Sequence, residues 1–167
     1  TADYAARVEA VRRRLPDAGI GVDVIAGFPG ESDEQFKRTA GFIAGLPVSY
    51  LHVFTYSERP GTPAAGYADK VPPRERQRRN AVLRAIGEKK RLAFHEGMVG
   101  RTVPVLLESE VRDGKRMGLA PNYARVAVGI GRSPRDLRQG AEALEANSIV
   151  SATIVSASAS WCEGTTL

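Results

Sequence analysis

Cysteine is almost absent from this 167-residue chain: Cys162 stands alone. A single thiol excludes an intramolecular disulfide, and it excludes an iron–sulfur cluster, which takes three or four thiolates. Long apolar runs are missing as well; none approaches the ~20 residues that cross a bilayer. No amino-terminal signal peptide is visible, so a cytoplasmic location without membrane association is expected. There is no internal repeat. The chain has no initiator Met and starts inside a helical pattern, which leads us to expect a fragment of a longer protein.

What is present fits a soluble globular protein: 43% hydrophobic and 26% charged residues, enough for one domain or two small ones. The net charge of +5 is unevenly placed. Between Lys70 and Arg101 ten Lys or Arg face three Glu, a local +7, and the remainder sums to −2. Such a concentration fits a polyanionic partner.

The most informative stretch is Asp23-Val-Ile-Ala-Gly-Phe-Pro-Gly-Glu-Ser32. Val22, Val24 and Ile25 predict a buried strand over Ile20–Ala26. Gly27 and Gly30 give backbone freedom at its end, and Pro29 stiffens the turn. Ser32 with Gln35 is a capping box that starts a helix over Asp33–Leu46, and Glu31, Asp33 and Glu34 suit its positive end. A second strand over Tyr50–Tyr56 completes a βαβ unit, whose ligands belong at the carboxyl ends of the strands. His52, flanked by Leu51 and Val53, is expected to be a satisfied core or near-core residue. The first helix, Ala5–Leu15, carries Arg7, Arg12, Arg13 and Arg14 on what reads as a solvated face.

The loop Ser57–Pro63 is stiffened by two prolines and should border the same mouth as Gly27–Glu31. Arg59 offers a planar fork for a carboxylate or phosphate there; a loop-bracing ion pair is the other reading. Pro72-Pro73 open a long basic helix, Arg74 to about Gly97, whose cations either neutralise phosphates or stay solvated. From Val99 the pattern changes to short strands: Thr102–Glu108, Lys115–Leu119, Tyr123–Val128 and Ile149–Val155, with a hairpin at Asp113-Gly114. That pattern suggests a small antiparallel barrel. Its Tyr123 and Arg125 suit base stacking beside a cation, or simply the barrel wall. The Ser/Ala-rich end after Ser156 reads as frayed, with no role for Trp161 or Cys162.

DVIAGFPGES (23–32), LHVFTYSERPGTPAA (51–65) and GEKKRLAF (87–94) together resemble the C-terminal part of the radical S-adenosylmethionine methylthiotransferases, from about Tyr4 to about Val155. With VGRTVPVLLE (99–108) and GLAPNYARV (118–126), the branch acting on threonylcarbamoyladenosine in tRNA is the most similar. The resemblance implies an α/β fold: the last part of a radical-SAM (β/α) barrel over residues 1–68, a basic linker helix over 69–97, an OB-like TRAM barrel over 98–156 and a disordered tail over 157–167. It implies S-adenosylmethionine beside Gly27, Phe28, Pro29, Gly30, Glu31, Phe54 and Tyr56. It implies tRNA, at the anticodon stem-loop, on Arg59, Lys89, Lys90, Arg91, Arg101, Asn122, Tyr123 and Arg125. The family's 4Fe-4S clusters sit on cysteines that this chain lacks, so it is expected to be inactive alone, with no catalytic residue and no metal ligand of its own. The segment 129–147 departs from the family pattern. Two alternatives stay open: a stand-alone RNA-binding module without catalysis, and the sister branch that methylthiolates a ribosomal-protein aspartate.

Overall fold

The computed structural model describes residues 1–130 and 144–166, and the chain divides into two compact units, Thr1–Lys90 and Arg91–Leu167. The first unit begins with helix α1 (Ala2–Arg14), strand β1 (Gly21–Ala26), helix α2 (Asp33–Gly45) and strand β2 (Tyr50–Thr55). A short 3-10 turn (Pro63–Gly66) leads into helix α3 (Pro73–Glu96). β1 and β2 pair in parallel, from Gly21↔Tyr50 to Ala26↔Thr55, with α2 as the crossover. The capping box is formed in full: Ser32 Oγ accepts from Gln35 N–H, and the Gln35 side chain accepts from Ser32 N–H.

One face of this two-stranded sheet is packed. Val22, Val24, Leu51 and Val53 lie against a core that includes Val8, Phe36, Ile43, Leu46 and Leu83. The other face is open: the register partners Ile25 and Phe54 are both exposed, and so are Asp23 and His52 beside them. His52 is therefore not a core residue. Its ring stands edge-on to Tyr50 at 5.3 Å, on the side of the pleat opposite Leu51 and Val53. Arg12 also departs from its expected solvated face. Its guanidinium donates to the carbonyls of Pro16, Ala18 and Pro47 and to Ser49 Oγ, fixing the turn after α1 to the start of β2.

The second unit is built on β3 (Thr102–Arg112), β4 (Lys115–Leu119), β5 (Arg125–Ile130), β6 (Ile149–Ala157) and β7 (Cys162–Thr166). They pair in the order β3-β4-β5-β7-β6, and β6 returns to β3, so the ring closes as a barrel. Four of the pairings are antiparallel, but β5 and β7 run parallel, which corrects the expectation of an all-antiparallel barrel. Val105, Leu107, Val126, Val128, Ala152, Ile154 and Cys162 fill the interior.

β7 also overturns the expected frayed tail over 157–167. Ala157 ends β6, and Cys162–Thr166 is the strand that closes the ring. Composition hid it because its work is done by backbone pairing and small size. A methyl group added at Gly164 would sit 3.2 Å from both Ala152 Cβ and Val126 Cγ1, so any side chain there must push these neighbours aside. The departure from the family pattern over 129–147 falls largely outside the described residues.

Removing residues 158–167 should leave β5 and β6 with bare edges and abolish cooperative unfolding of the second unit. Burial pushes the Cys162 thiol up to about 11. Iodoacetamide at about pH 8 should therefore leave it unlabelled until denaturant is added. Rapid labelling of the native chain would show that β7 is not closed onto the barrel.

Candidate functional site

The carboxyl ends of β1 and β2 form the mouth of the first unit. Tyr56 N–H donates to Ala26 O at 2.9 Å, and Gly30 N–H donates to Asp69 O at 2.9 Å. The Phe28 ring meets Tyr56 edge-on at 5.2 Å and Tyr67 at 6.1 Å. The loops after both strands are thus brought together as the βαβ reading requires.

The loop Gly27–Glu31 is held from below by α3. Glu31 Oε2 accepts from Gly27 N–H and from Arg79 Nη1, each at 2.8 Å, so its carboxylate braces the loop from inside. Arg79, with only 4% of its side chain exposed, also donates to Glu31 O, Asp33 and Glu75. Hydrogen bonds from Arg78 first and Arg79 second hold the Glu75 carboxyl down at about 2. Arg76 secures the other loop, donating to Val71 O, Tyr56 O and Glu58 while its guanidinium lies 5.3 Å over the Tyr56 ring. Gly27 is left-handed at φ +78°, and a Cβ there would come within 2.5 Å of Arg76 Cγ.

Of the residues expected at a cofactor, Gly27 and Pro29 are buried, and Phe28 and Gly30 are exposed. Tyr56 is buried, and its hydroxyl has no partner among the described residues. Phe54 lies apart from these, on the open sheet face beside Ile25. Arg59 is exposed and forms no ion pair among the described residues. A cluster does not fit: the one thiol is buried and protonated, and no group of three potential metal ligands exists among the described residues. A hollow of about 750 Å³ elsewhere in this unit is lined by Tyr4, Val22, Phe42 and Leu46 and not by these loops.

The expected RNA contacts separate into two groups. Lys89, Arg101 and Tyr123 are exposed, and Tyr123 is 77% exposed on a left-handed backbone (φ +63°). Four more are less exposed, and three of these have named partners in the fold. Lys90 Nζ donates to Ala44 O and Leu46 O, capping the carboxyl end of α2, and burial lowers its pKa. Asn122 Oδ1 accepts from Ala124 N–H and shapes the turn that presents Tyr123. Arg125 donates to Glu108 and Glu110. Arg91 is half-buried near His95.

Three residues have roles that the sequence pattern does not show. Arg76 and Arg79 belong by pattern to the basic face of the long helix, and His95 has no local partner. His95 is buried, with Nδ1 2.6 Å from Ser158 O in the turn between β6 and β7. A helix-to-loop contact across 63 positions leaves no local pattern to find.

A parallel βαβ unit with a glycine–proline mouth, followed by a closed five-stranded barrel, defines the class. No family model matches the chain. Its homologues are tRNA methylthiotransferases. A threonylcarbamoyladenosine tRNA methylthiotransferase of Aquifex aeolicus is 38% identical over 110 residues, 66% of this chain and 27% of that protein. A tRNA-2-methylthio-N(6)-dimethylallyladenosine synthase of Maricaulis maris is 37% identical over 127 residues, 75% of this chain and 28% of its own length. The synthase of the same name from Salinispora arenicola is 41% identical over 123 residues, 73% of this chain and 24% of its own length. The chain spans about a quarter of the length of these curated relatives. No helix among the described residues is long and apolar enough to cross a membrane.

Gly27→Ala should destabilise the first unit more than Gly30→Ala. Gly30 is also left-handed (φ +84°) but has open space around it. Gly30→Ala then carries only the left-handed cost, about 1 kcal/mol, while Gly27→Ala must also displace the tethered Arg76. Equal denaturation midpoints would show that Arg76 gives way freely.

Burial pushes the His95 imidazole below its ordinary 6.5, with Arg91 adding to the fall and the Ser158 carbonyl opposing it. The unfolded chain therefore takes up this proton at a higher pH than the folded one. The contribution is whole above 6.5 and is lost as pH falls from there through the lower folded value. Melting temperature should fall more steeply between about pH 7 and about pH 5 in the native chain than in His95→Gln. Parallel slopes would remove His95 from the acid response.

Proposed function

We propose that this chain forms part of a radical S-adenosylmethionine methylthiotransferase that modifies a tRNA adenosine, in the branch whose substrate is threonylcarbamoyladenosine. The observation that carries the tRNA methylthiotransferase reading is the 37–41% identity, over two thirds to three quarters of the chain, with relatives of both the threonylcarbamoyladenosine and the dimethylallyladenosine kinds. The runs GEKKRLAF and GLAPNYARV support the choice of branch. The ring order first-second-third-fifth-fourth, with the third and fifth strands parallel, supports an OB-like TRAM barrel in the second unit.

In this reading the mouth at Gly27–Glu31 and Tyr56 forms one wall of the adenosylmethionine site. Phe28 supplies an exposed aromatic ring, and Glu31 acts by holding the loop in shape. Adenosylmethionine, when bound, is the source of the radical and of the methyl group, and the iron–sulfur clusters belong to parts of such an enzyme outside this chain. Exposed cations, Arg59, Lys89 and Arg101 among them, meet the phosphates of the anticodon stem-loop. Tyr123 offers a base-stacking surface.

A second reading, an RNA-binding module without catalysis, is favoured by the closed ring and separate core of the second unit. Binding to an anticodon stem-loop, with and without the threonylcarbamoyl group and across a salt series, tests both. A preference for the threonylcarbamoyl form supports the proposal, and a preference for the dimethylallyl form moves it to the other tRNA branch. Indifference to the modification supports the module. Failure to bind RNA rejects both and favours the ribosomal-protein substrate.

The same titration separates the two neighbouring lysines. Lys89→Ala should lower the slope of log affinity against log salt by about 0.7–0.9. Lys90→Met should leave the slope unchanged and lower the melting temperature, because it uncaps α2. A slope change for Lys90→Met alone would reverse these roles.

A further inference from the structure

We propose that Trp161, with Arg112 lying over it, is a nucleobase-stacking platform on the barrel. The inference rests on the RNA-binding reading above and deepens it by naming a contact with unpaired bases. Trp161 is the only tryptophan in the chain. It stands immediately before β7, partly exposed, and the Arg112 guanidinium carbon is 5.1 Å from its ring centroid. Arg112 itself is exposed, so this cation–aromatic pair lies at the surface of the barrel. Bases stack on aromatic rings and on guanidinium planes alike.

The platform is built rather than incidental. Ser158 N–H and Ser158 Oγ both donate to Trp161 O, each at 2.9 Å. Ser158 Oγ in turn accepts from the backbone N–H of Ser160 and of Trp161. The buried His95 grips the carbonyl of Ser158. A turn of four small or aromatic residues is thereby fixed at both its serine and its tryptophan, which sets the backbone from which the indole projects before any ligand arrives. Preorganisation of this kind spares the ordering cost of binding.

Position supports the assignment. Arg112 ends β3 at the turn into β4, and Trp161 closes the turn between β6 and β7. These are the first-to-second and fourth-to-fifth connections of a five-stranded barrel, the loops that take oligonucleotides in OB-type barrels. The parallel register Val126↔Cys162 puts Trp161 level with Arg125, two residues from the exposed Tyr123. Two aromatics thus stand at the same end of the β5–β7 pair.

The local charge says which part of RNA is met here. Glu110 pairs with both Arg112 and Arg125, Glu108 with Arg125, and Glu163 with Lys115. Three carboxylates among these cations make a poor phosphate groove. The contact is therefore with a base, and phosphate neutralisation is left to other cations of the chain. A stacking contact contributes affinity without releasing counterions.

The lone tryptophan makes the test direct. The full chain is titrated with an unlabelled anticodon stem-loop RNA while Trp161 emission is followed, and binding is measured separately by anisotropy of labelled RNA. The proposal expects emission to be quenched with the same midpoint as the anisotropy. It expects Trp161→Ala to weaken binding about tenfold or more with an unchanged salt slope, and Trp161→Phe to recover most of the loss. Binding without quenching, and with Trp161→Phe and Trp161→Ala equal to the native chain, overturns the platform and leaves the RNA-binding reading standing. Absence of any anisotropy change overturns that reading and the platform with it.

Discussion

A guanidinium with 4% of its side chain in solvent must find its acceptors within the protein, and Arg79 finds them in Glu31, Asp33 and Glu75. Leaving such a charge unpaired costs several kcal/mol, so the three carboxylates and the helix that carries Arg79 are bound to one arrangement. Glu31 transmits that constraint to the mouth through its bond to Gly27 N–H. Gly27 transmits it to the second loop, because only a residue without Cβ leaves room for Arg76 beside it. The glycine–proline turn thus gets its shape from a helix more than forty positions away in the chain. A loop preset in this way suits a ligand site, where disorder before binding would subtract from affinity.

The second unit answers to a different constraint, the closure of a five-stranded ring. Closure removes sheet edges, and here it depends on the last described strand. Cys162 and Gly164 sit where the interior has room for little else, and His95 ties the preceding turn to the end of α3. That tie is also what positions Trp161. Stability and the proposed stacking surface draw on the same few bonds around Ser158.

Cations illustrate how far charge counting carries. The concentration of Lys and Arg between 70 and 101 is real, yet Arg76, Arg79 and Lys90 are spent inside the protein on carbonyls and carboxylates. Lys89 and Arg101, by contrast, are exposed, and exposure rather than count decides which cations a polyanion can reach. Arg12 follows the same rule at the other end of the first unit. An arginine carries five donors, and a fold that has loose carbonyls nearby will use them.

The sequence by itself determined the local elements. The capping box at Ser32 and Gln35, the βαβ order, the long helix after Pro72-Pro73 and the strand at Lys115–Leu119 all follow from rules that act within a few residues. It also pointed to the mouth, because glycine and proline at a strand end act through their own backbones. Only the tertiary structure decided which face of the β1–β2 sheet is open, placing His52 in solvent. It alone decided that Glu31 turns inward to Arg79, that β7 runs parallel to β5, and that Trp161 stands on a braced turn under Arg112. Each of these rests on partners 29 to 63 positions away. Side-chain periodicity reports which residues prefer burial, but not which distant group they will meet, and that pairing is fixed only when the chain packs.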